Sequence, residues 1–243
     1  FNCSRRSSMG GVTMHTLNIF DSRNELDTQL ANSVAQLLAK AIADKGKASI
    51  AVSGGSTPKG FFNALSQIAL PWNQVTVTLA DERWVDIDSE ASNTRLVFEN
   101  LIQNKAVGAR FFHLKQGDEL TDEVLSDLNV AVNTSLLPFD VVILGMGEDG
   151  HTASLFPCSA QINQCLAENS PSLISVQPET APHKRITFSY QSLKQCPNIF
   201  LQICGENKRA VLNKALEGHE SKEMPIRAFL HSQEVNTQVF WAE

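Results

Sequence analysis

None of the five cysteines (Cys3, Cys158, Cys165, Cys196 and Cys204) falls in a CxxC pair, their number is odd, and no His/Cys spacing matches a zinc site. A disulfide framework and a structural zinc are thereby excluded. Scattered thiols in a chain of 243 residues read as the reduced groups of a cytoplasmic protein. The glycosylation sequons at Asn2 and Asn133 are accordingly chance matches. No apolar run approaches the ~18 residues that a membrane span needs. The start of the chain has no apolar stretch of the signal-peptide kind. Residues 1–13 are polar, carry Arg5 and Arg6, and read as an added leader or a disordered start, with Met14 as the natural first residue. A basic excess is missing too: Lys and Arg number 20 against 26 Asp and Glu, a formal net charge of -6. That balance speaks against a broad footprint on nucleic acid or on an anionic membrane. An anionic ligand would have to be held by a local cluster of donors. No repeat or low-complexity linker divides the chain, so residues 14–243 are expected to form one domain, as a monomer or a small homo-oligomer.

What is present is an alternation of strands and helices. Residues 25–43 carry Leu26, Leu30, Val34, Leu37, Leu38 and Ala41 at helical spacing. Residues 48–52 read as a short buried strand, and Thr57 with Pro58 reads as the cap and first position of a helix. A β-branched strand over 75–79 ends in Asp81-Glu82-Arg83-Trp84. Ser92-Asn93 caps a helix to residue 100, and a further helix covers 122–136. Strands follow at 139–144, 172–176 and 198–203, the last leading into a helix from about Glu206. A final strand over 235–241 is placed at an edge. This order predicts right-handed βαβ crossovers and an α/β fold: a single doubly wound, mostly parallel sheet flanked by helices. In such sheets ligands bind outside the carboxyl ends of the strands, where the informative loops lie.

Ser53-Gly54-Gly55-Ser56-Thr57-Pro58 offers consecutive backbone N–H groups, hydroxyls and a helix N-terminus, which suits a phosphate. It reads equally as a tight strand-to-helix turn with no ligand. It is not a Walker loop, because Phe61 stands where the lysine should be. Gly145-Met146-Gly147-Glu148-Asp149-Gly150 matches G-x-G-x-x-G. A dinucleotide site is rejected there, because Glu148 and Asp149 would face a pyrophosphate. The loop makes better sense as the mount of His151, which can act as base and then acid, with Asp149 orienting or charge-stabilising the imidazole. A helix start is expected over 152–156. Asp81-Glu82-Arg83 has the look of a solvated turn, and Arg185 and Lys208 are single cations that matter only if a phosphate needs neutralising.

Together these segments resemble the 6-phosphogluconolactonase family. The resemblance is carried by the 53–58 loop, Asp81-Glu82-Arg83-Trp84-Val85, Ser92-Asn93-Thr94-Arg95, and Gly145-Met146-Gly147-Glu148-Asp149-Gly150-His151-Thr152-Ala153-Ser154-Leu155-Phe156-Pro157. Arg185-Ile186-Thr187 and Gly205-Glu206-Asn207-Lys208 continue it in order. The long histidine motif is the most specific part, and the match runs from about Met14 to the C-terminus. The resemblance implies a Rossmann-like fold shared with the glucosamine-6-phosphate deaminases, and hydrolysis of a phosphorylated sugar lactone without metal or cofactor. His151 would be the base, Asp149 its holder and Arg83 an oxyanion donor. The substrate would be bound by Gly54, Gly55, Ser56, Thr57, Asp81, Arg185 and Lys208. The deaminases carry a glutamate five residues beyond the histidine; here that position is Phe156, which cannot accept a proton. A catalytically silent sugar-phosphate binder is the alternative of another class, and it would have no use for a base.

Overall fold

The computed structural model describes residues 15–243; the expected leader over 1–13 and the Met14 start lie outside them. In chain order the elements are β1 (His15–Phe20), α1 (Arg23–Lys45), β2 (Ala48–Val52), α2 (Lys59–Ser66), β3 (Val75–Leu79), β4 (Asp81–Arg83), α3 (Asn93–Asn100), β5 (Arg110–Phe111), α4 (Asp122–Ser135), β6 (Val141–Leu144), α5 (Ile162–Leu166), β7 (Leu173–Val176), β8 (Arg185–Phe188), α6 (Tyr190–Leu193), β9 (Ile199–Cys204), α7 (Glu206–Glu217), α8 (Arg227–Leu230) and β10 (Thr237–Ala242).

Local chemistry accounts for the helices. Ser22 opens α1 by accepting the Glu25 N–H, and Gly46, at φ +78°, closes it by donating to the Ile42 carbonyl. Leu26, Leu30, Val34 and Leu38, spaced by four, bury one face of α1 completely. Ser92 caps α3 through the Arg95 N–H and Thr121 caps α4 through the Val124 N–H. The helix after the 53–58 loop begins at Lys59, with Pro58 at the cap position and no side-chain cap. The expected Thr57 cap is therefore not made, because a proline that already holds a helical φ can start the turn alone.

Seven strands form a parallel sheet in the order β1-β10-β9-β6-β2-β3-β5. The mostly parallel, helix-flanked sheet expected from the alternation is what the chain adopts. Interior strands such as β6 and β9 are almost wholly buried, as sheets covered on both faces require. The chain runs from β2 outward to β3 and β5, then returns to β6 on the other side of β2. That reversal opens a crevice beyond the carboxyl ends of β2 and β6.

Three further expectations need correction. The last strand, β10, is interior, because β1 occupies the edge and pairs with it from His15↔Thr237 onward. A second, three-stranded antiparallel sheet, β4-β8-β7, accompanies the parallel one, and it turns the expected solvated turn at 81–83 into a strand. No helix starts over 152–156. The Leu155 N–H closes a tight turn on the Thr152 carbonyl, with Ala153 at φ +50°, and the next helix waits until Ile162. Among the described residues no helix is long and apolar enough to cross a membrane.

Candidate active site

The crevice holds a cavity of about 370 Å³. It is walled by the loop after β2, the loop after β6, the start of β4, and Lys208 of α7. Of the residues singled out in the sequence, Gly54, Gly55, Ser56, Thr57, Asp81, Arg83, His151, Arg185 and Lys208 all line it; Asp149 stands outside the wall and touches His151.

The two glycine loops take their shape from close approaches. A Cβ on Gly54 would fall on the side chain of Asn93, which is buried and donates to the Asp81 carbonyl. A Cβ on Gly147 would fall on the His151 ring and lie 2.9 Å from Asp149 Oδ1. Gly150, at φ +80°, donates to the Gly147 carbonyl and accepts from the Ile226 N–H, which fixes the base of the loop.

On this mount, Asp149 Oδ1 lies 2.5 Å from His151 Nδ1 and also accepts the His151 backbone N–H at 3.0 Å. A carboxylate at Nδ1 fixes the proton there and leaves Nε2 with a lone pair. Burial works to raise the Asp149 carboxyl, but the hydrogen bonds and charge of His151 outweigh it and hold the group below the usual carboxylate value. The pair is thus an ionised aspartate orienting an imidazole.

Strand alternation sorts the neighbouring acids. Asp81 faces the cavity and accepts from Ser154 Oγ at 2.6 Å. Glu82 points away and is saturated by the Arg83, Asn93 and Thr94 N–H groups and the Thr94 hydroxyl. Burial pushes the Glu82 carboxyl up against those donors. Its work is to tie β4 to the start of α3. Arg83 and Arg185, distant in sequence, are direct partners across β4 and β8. Both keep a buried Nε with no hydrogen-bond partner among the described residues. Burial lowers the Arg185 guanidinium from its ordinary value, the nearby Asp81 carboxylate opposes that, and Arg83 adds to it. Lys208 Nζ donates to the Met146 carbonyl at 2.5 Å. Three cations against the one carboxylate of Asp81 make the cavity locally positive in a chain of net charge -6, the arrangement an anionic ligand requires. Among the described residues no group of three or more His, Cys, Asp or Glu could hold a metal ion.

Two further polar residues, Asn93 and Gln202, line the cavity. The sequence marks Asn93 as part of a cap and of the Ser92-Asn93-Thr94-Arg95 motif, without a site role. Gln202 is a polar residue inside the apolar run Ile199-Phe200-Leu201-Gln202-Ile203, a signal that was available. Its amide donates to Asp27 of α1 at 3.0 Å and reaches toward the Thr57 carbonyl. Burial pushes the Asp27 carboxyl up to about 6, against the Gln202 hydrogen bond and the charge of Arg23. A carboxylate raised on folding costs stability above its folded value, and the cost vanishes below the unfolded one. Asp27→Asn should therefore stabilise the fold near neutrality, by on the order of 1 kcal/mol because the group is only partly buried, and the gain should disappear at about pH 4. Melting curves at the two pH values check this; an equal gain at both would contradict the assigned cause.

Comparison with known proteins agrees with this architecture. The family model described as glucosamine-6-phosphate isomerases/6-phosphogluconolactonase matches residues 21–241. The 6-phosphogluconolactonase of Rhizobium meliloti is 42% identical over 227 residues, covering 93% of this chain and 98% of that protein. The crystal structure of a 6-phosphogluconolactonase from Shewanella baltica superposes with a TM-score of 0.92 at 41% identity, over 96% of this chain and 100% of that one. A monomeric glucosamine-6-phosphate deaminase shares the fold, at a TM-score of 0.72 and 20% identity, over 93% of this chain and 97% of that one. The chain belongs to the glucosamine-6-phosphate isomerase/6-phosphogluconolactonase family.

Proposed function

We propose that this protein hydrolyses 6-phospho-D-glucono-1,5-lactone to 6-phospho-D-gluconate, as a cytoplasmic enzyme of the oxidative pentose phosphate pathway whose residues 14–243 form one domain. The carrying observation is an Asp149-oriented imidazole whose second nitrogen has no hydrogen-bond partner among the described residues, beside a cavity lined by Arg83, Arg185 and Lys208. His151 Nε2 takes a proton from water as the water oxygen attacks C1. The tetrahedral intermediate collapses with cleavage of the bond from C1 to the ring oxygen, which receives the proton back from the imidazolium. Asp149 stabilises that imidazolium, and Arg83 is the oxyanion donor, a contribution of roughly 3 kcal/mol for a well-placed group. The 6-phosphate rests on the amides and hydroxyls of Gly54, Gly55, Ser56 and Thr57, with Arg185 and Lys208 as counter-charges and Asp81 accepting from a sugar hydroxyl. A lactone is an activated ester, so no step is routed through a metal or a cofactor. The deaminase reading is disfavoured by Phe156, an apolar ring on the face of His151.

The test is ring opening of the phosphorylated lactone in EDTA-containing buffer, run beside ammonia release from glucosamine 6-phosphate. Rapid lactone hydrolysis alone is the expected result. Ammonia release, or binding without turnover, would replace this reading with one of its competitors. Arg185→Ala and Lys208→Ala should each raise KM for the phosphorylated lactone more than they lower kcat, because remote charges supply uniform binding. Unphosphorylated gluconolactone should be a poor substrate, nearly indifferent to both changes. Equal KM values for the two lactones in the unaltered protein would remove the phosphate assignment.

A further inference from the structure

The imidazole of His151 has a face as well as an edge, and the fold engages both. Asp149 holds the Nδ1 edge, which still lets the ring swing about that hydrogen bond. The Phe156 ring lies on the face, with centroids 4.2 Å apart and planes at 26°. The guanidinium carbon of Arg185 lies over the same Phe156 ring, 5.0 Å from its centroid. One ring is thus in contact with both the imidazole and the guanidinium. Phe156 is only 2% exposed. It is brought back onto His151 by the turn at Thr152–Leu155, in which Ala153 adopts the left-handed conformation without being glycine. Backbone held in that region by its surroundings clusters at functional sites.

The geometry points to Phe156 as a positioning residue for lactone hydrolysis, one that sets the plane of the His151 imidazole and stabilises the imidazolium formed during turnover. The inference rests on reading His151 as the base. When His151 takes the proton it becomes a second cation beside Arg185, and two such charges oppose each other. The negative face of an aromatic ring attracts a cation, so Phe156 stabilises the imidazolium as it forms in the field of Arg185. With the ring plane also fixed, Nε2 stays directed at the cavity through the transfer to water and back.

Phe156→Leu keeps an apolar side chain and removes the π face. Its kcat should fall about tenfold. KM for the phosphorylated lactone should rise by less than kcat falls, because no group that itself binds the phosphate is removed. Phe156→Tyr, which keeps the ring, should recover most of the rate. The deciding measurement is a double-mutant cycle at high enzyme concentration, corrected for spontaneous opening. In a His151→Ala background, Phe156→Leu should cause no further loss, because a residue that acts through the imidazole has nothing left to act on. If the Leu variant fails to fold, Phe156→Met enters the same cycle with the same expectations. An unchanged kcat for Phe156→Leu, or an equal loss in both backgrounds, overturns this inference alone. A His151→Ala protein with the unaltered rate overturns the base assignment and this inference with it.

Discussion

His151→Ala is expected to lower kcat for the phosphorylated lactone by ~10²–10⁴-fold, the contribution of a well-placed general base. The fold should survive. The side chain is 29% exposed, sits on a surface loop, and makes its one strong bond to Asp149, itself partly exposed. The unfolding free energy should change by about 1 kcal/mol or less, as for changes away from the packed core. Because the lactone opens unaided in water, the spontaneous rate must be subtracted before the variants are compared. Asp149→Asn should be impaired as well. An amide can still orient the ring, but it cannot stabilise the positive charge that the imidazole acquires. Steady-state kinetics with circular dichroism on the same samples decide the matter. If well-folded His151→Ala keeps most of its rate, the base lies elsewhere, and Asp81 in the cavity wall is the next candidate.

Gly147→Ala should be nearly as damaging, although it deletes no chemical group. The added methyl would fall on Cε1 and Nδ1 of His151 and crowd Asp149 Oδ1 at 2.9 Å. The imidazole is the part free to give way, since it is partly exposed while the loop is pinned by backbone bonds from Gly147 to His151 and from Gly150 to Gly147. The ring should swing out and lose its bond to Asp149, with kcat falling to within about tenfold of His151→Ala and KM little altered. Proton NMR of the Nδ1–H offers a second readout, because that signal should shift or vanish with the hydrogen bond. Unaltered kcat in Gly147→Ala would mean that the imidazole does not work in the orientation the loop gives it.

Much of this fold is legible in short stretches of sequence because the forces that set its elements are local. The four-residue spacing of Leu26, Leu30, Val34 and Leu38, and the Ser92 cap, act within a turn or two of the chain. So do the β-branched run at 75–79 and the apolar run closing β6. The same holds for the glycine loops and for the nearness of Asp149 to His151, two residues apart. Strand β1 was missed because it is a half-buried edge strand that interleaves Thr16 and Asn18 with its apolar residues, a weak pattern.

The site needed more than local rules. Arg185 looked like an isolated cation because what gives it meaning, the partnership with Arg83 across β4 and β8, spans about a hundred residues of intervening chain. Gln202 meets Asp27 at a separation of 175 positions. Asp81 and Glu82 read as one acid pair, yet alternation in a strand that only the second sheet creates sends one to the cavity and the other into a cage of donors. The contact of Phe156 with both His151 and Arg185 depends on a turn that replaced an expected helix. Short-range propensity, capping and periodicity thus account for the longer helices, the inner parallel strands, the loops at their ends and the candidate base. Which side chains share the cavity was decided by the order of strands in two sheets, because that order alone brings distant positions of the chain within a hydrogen bond of one another.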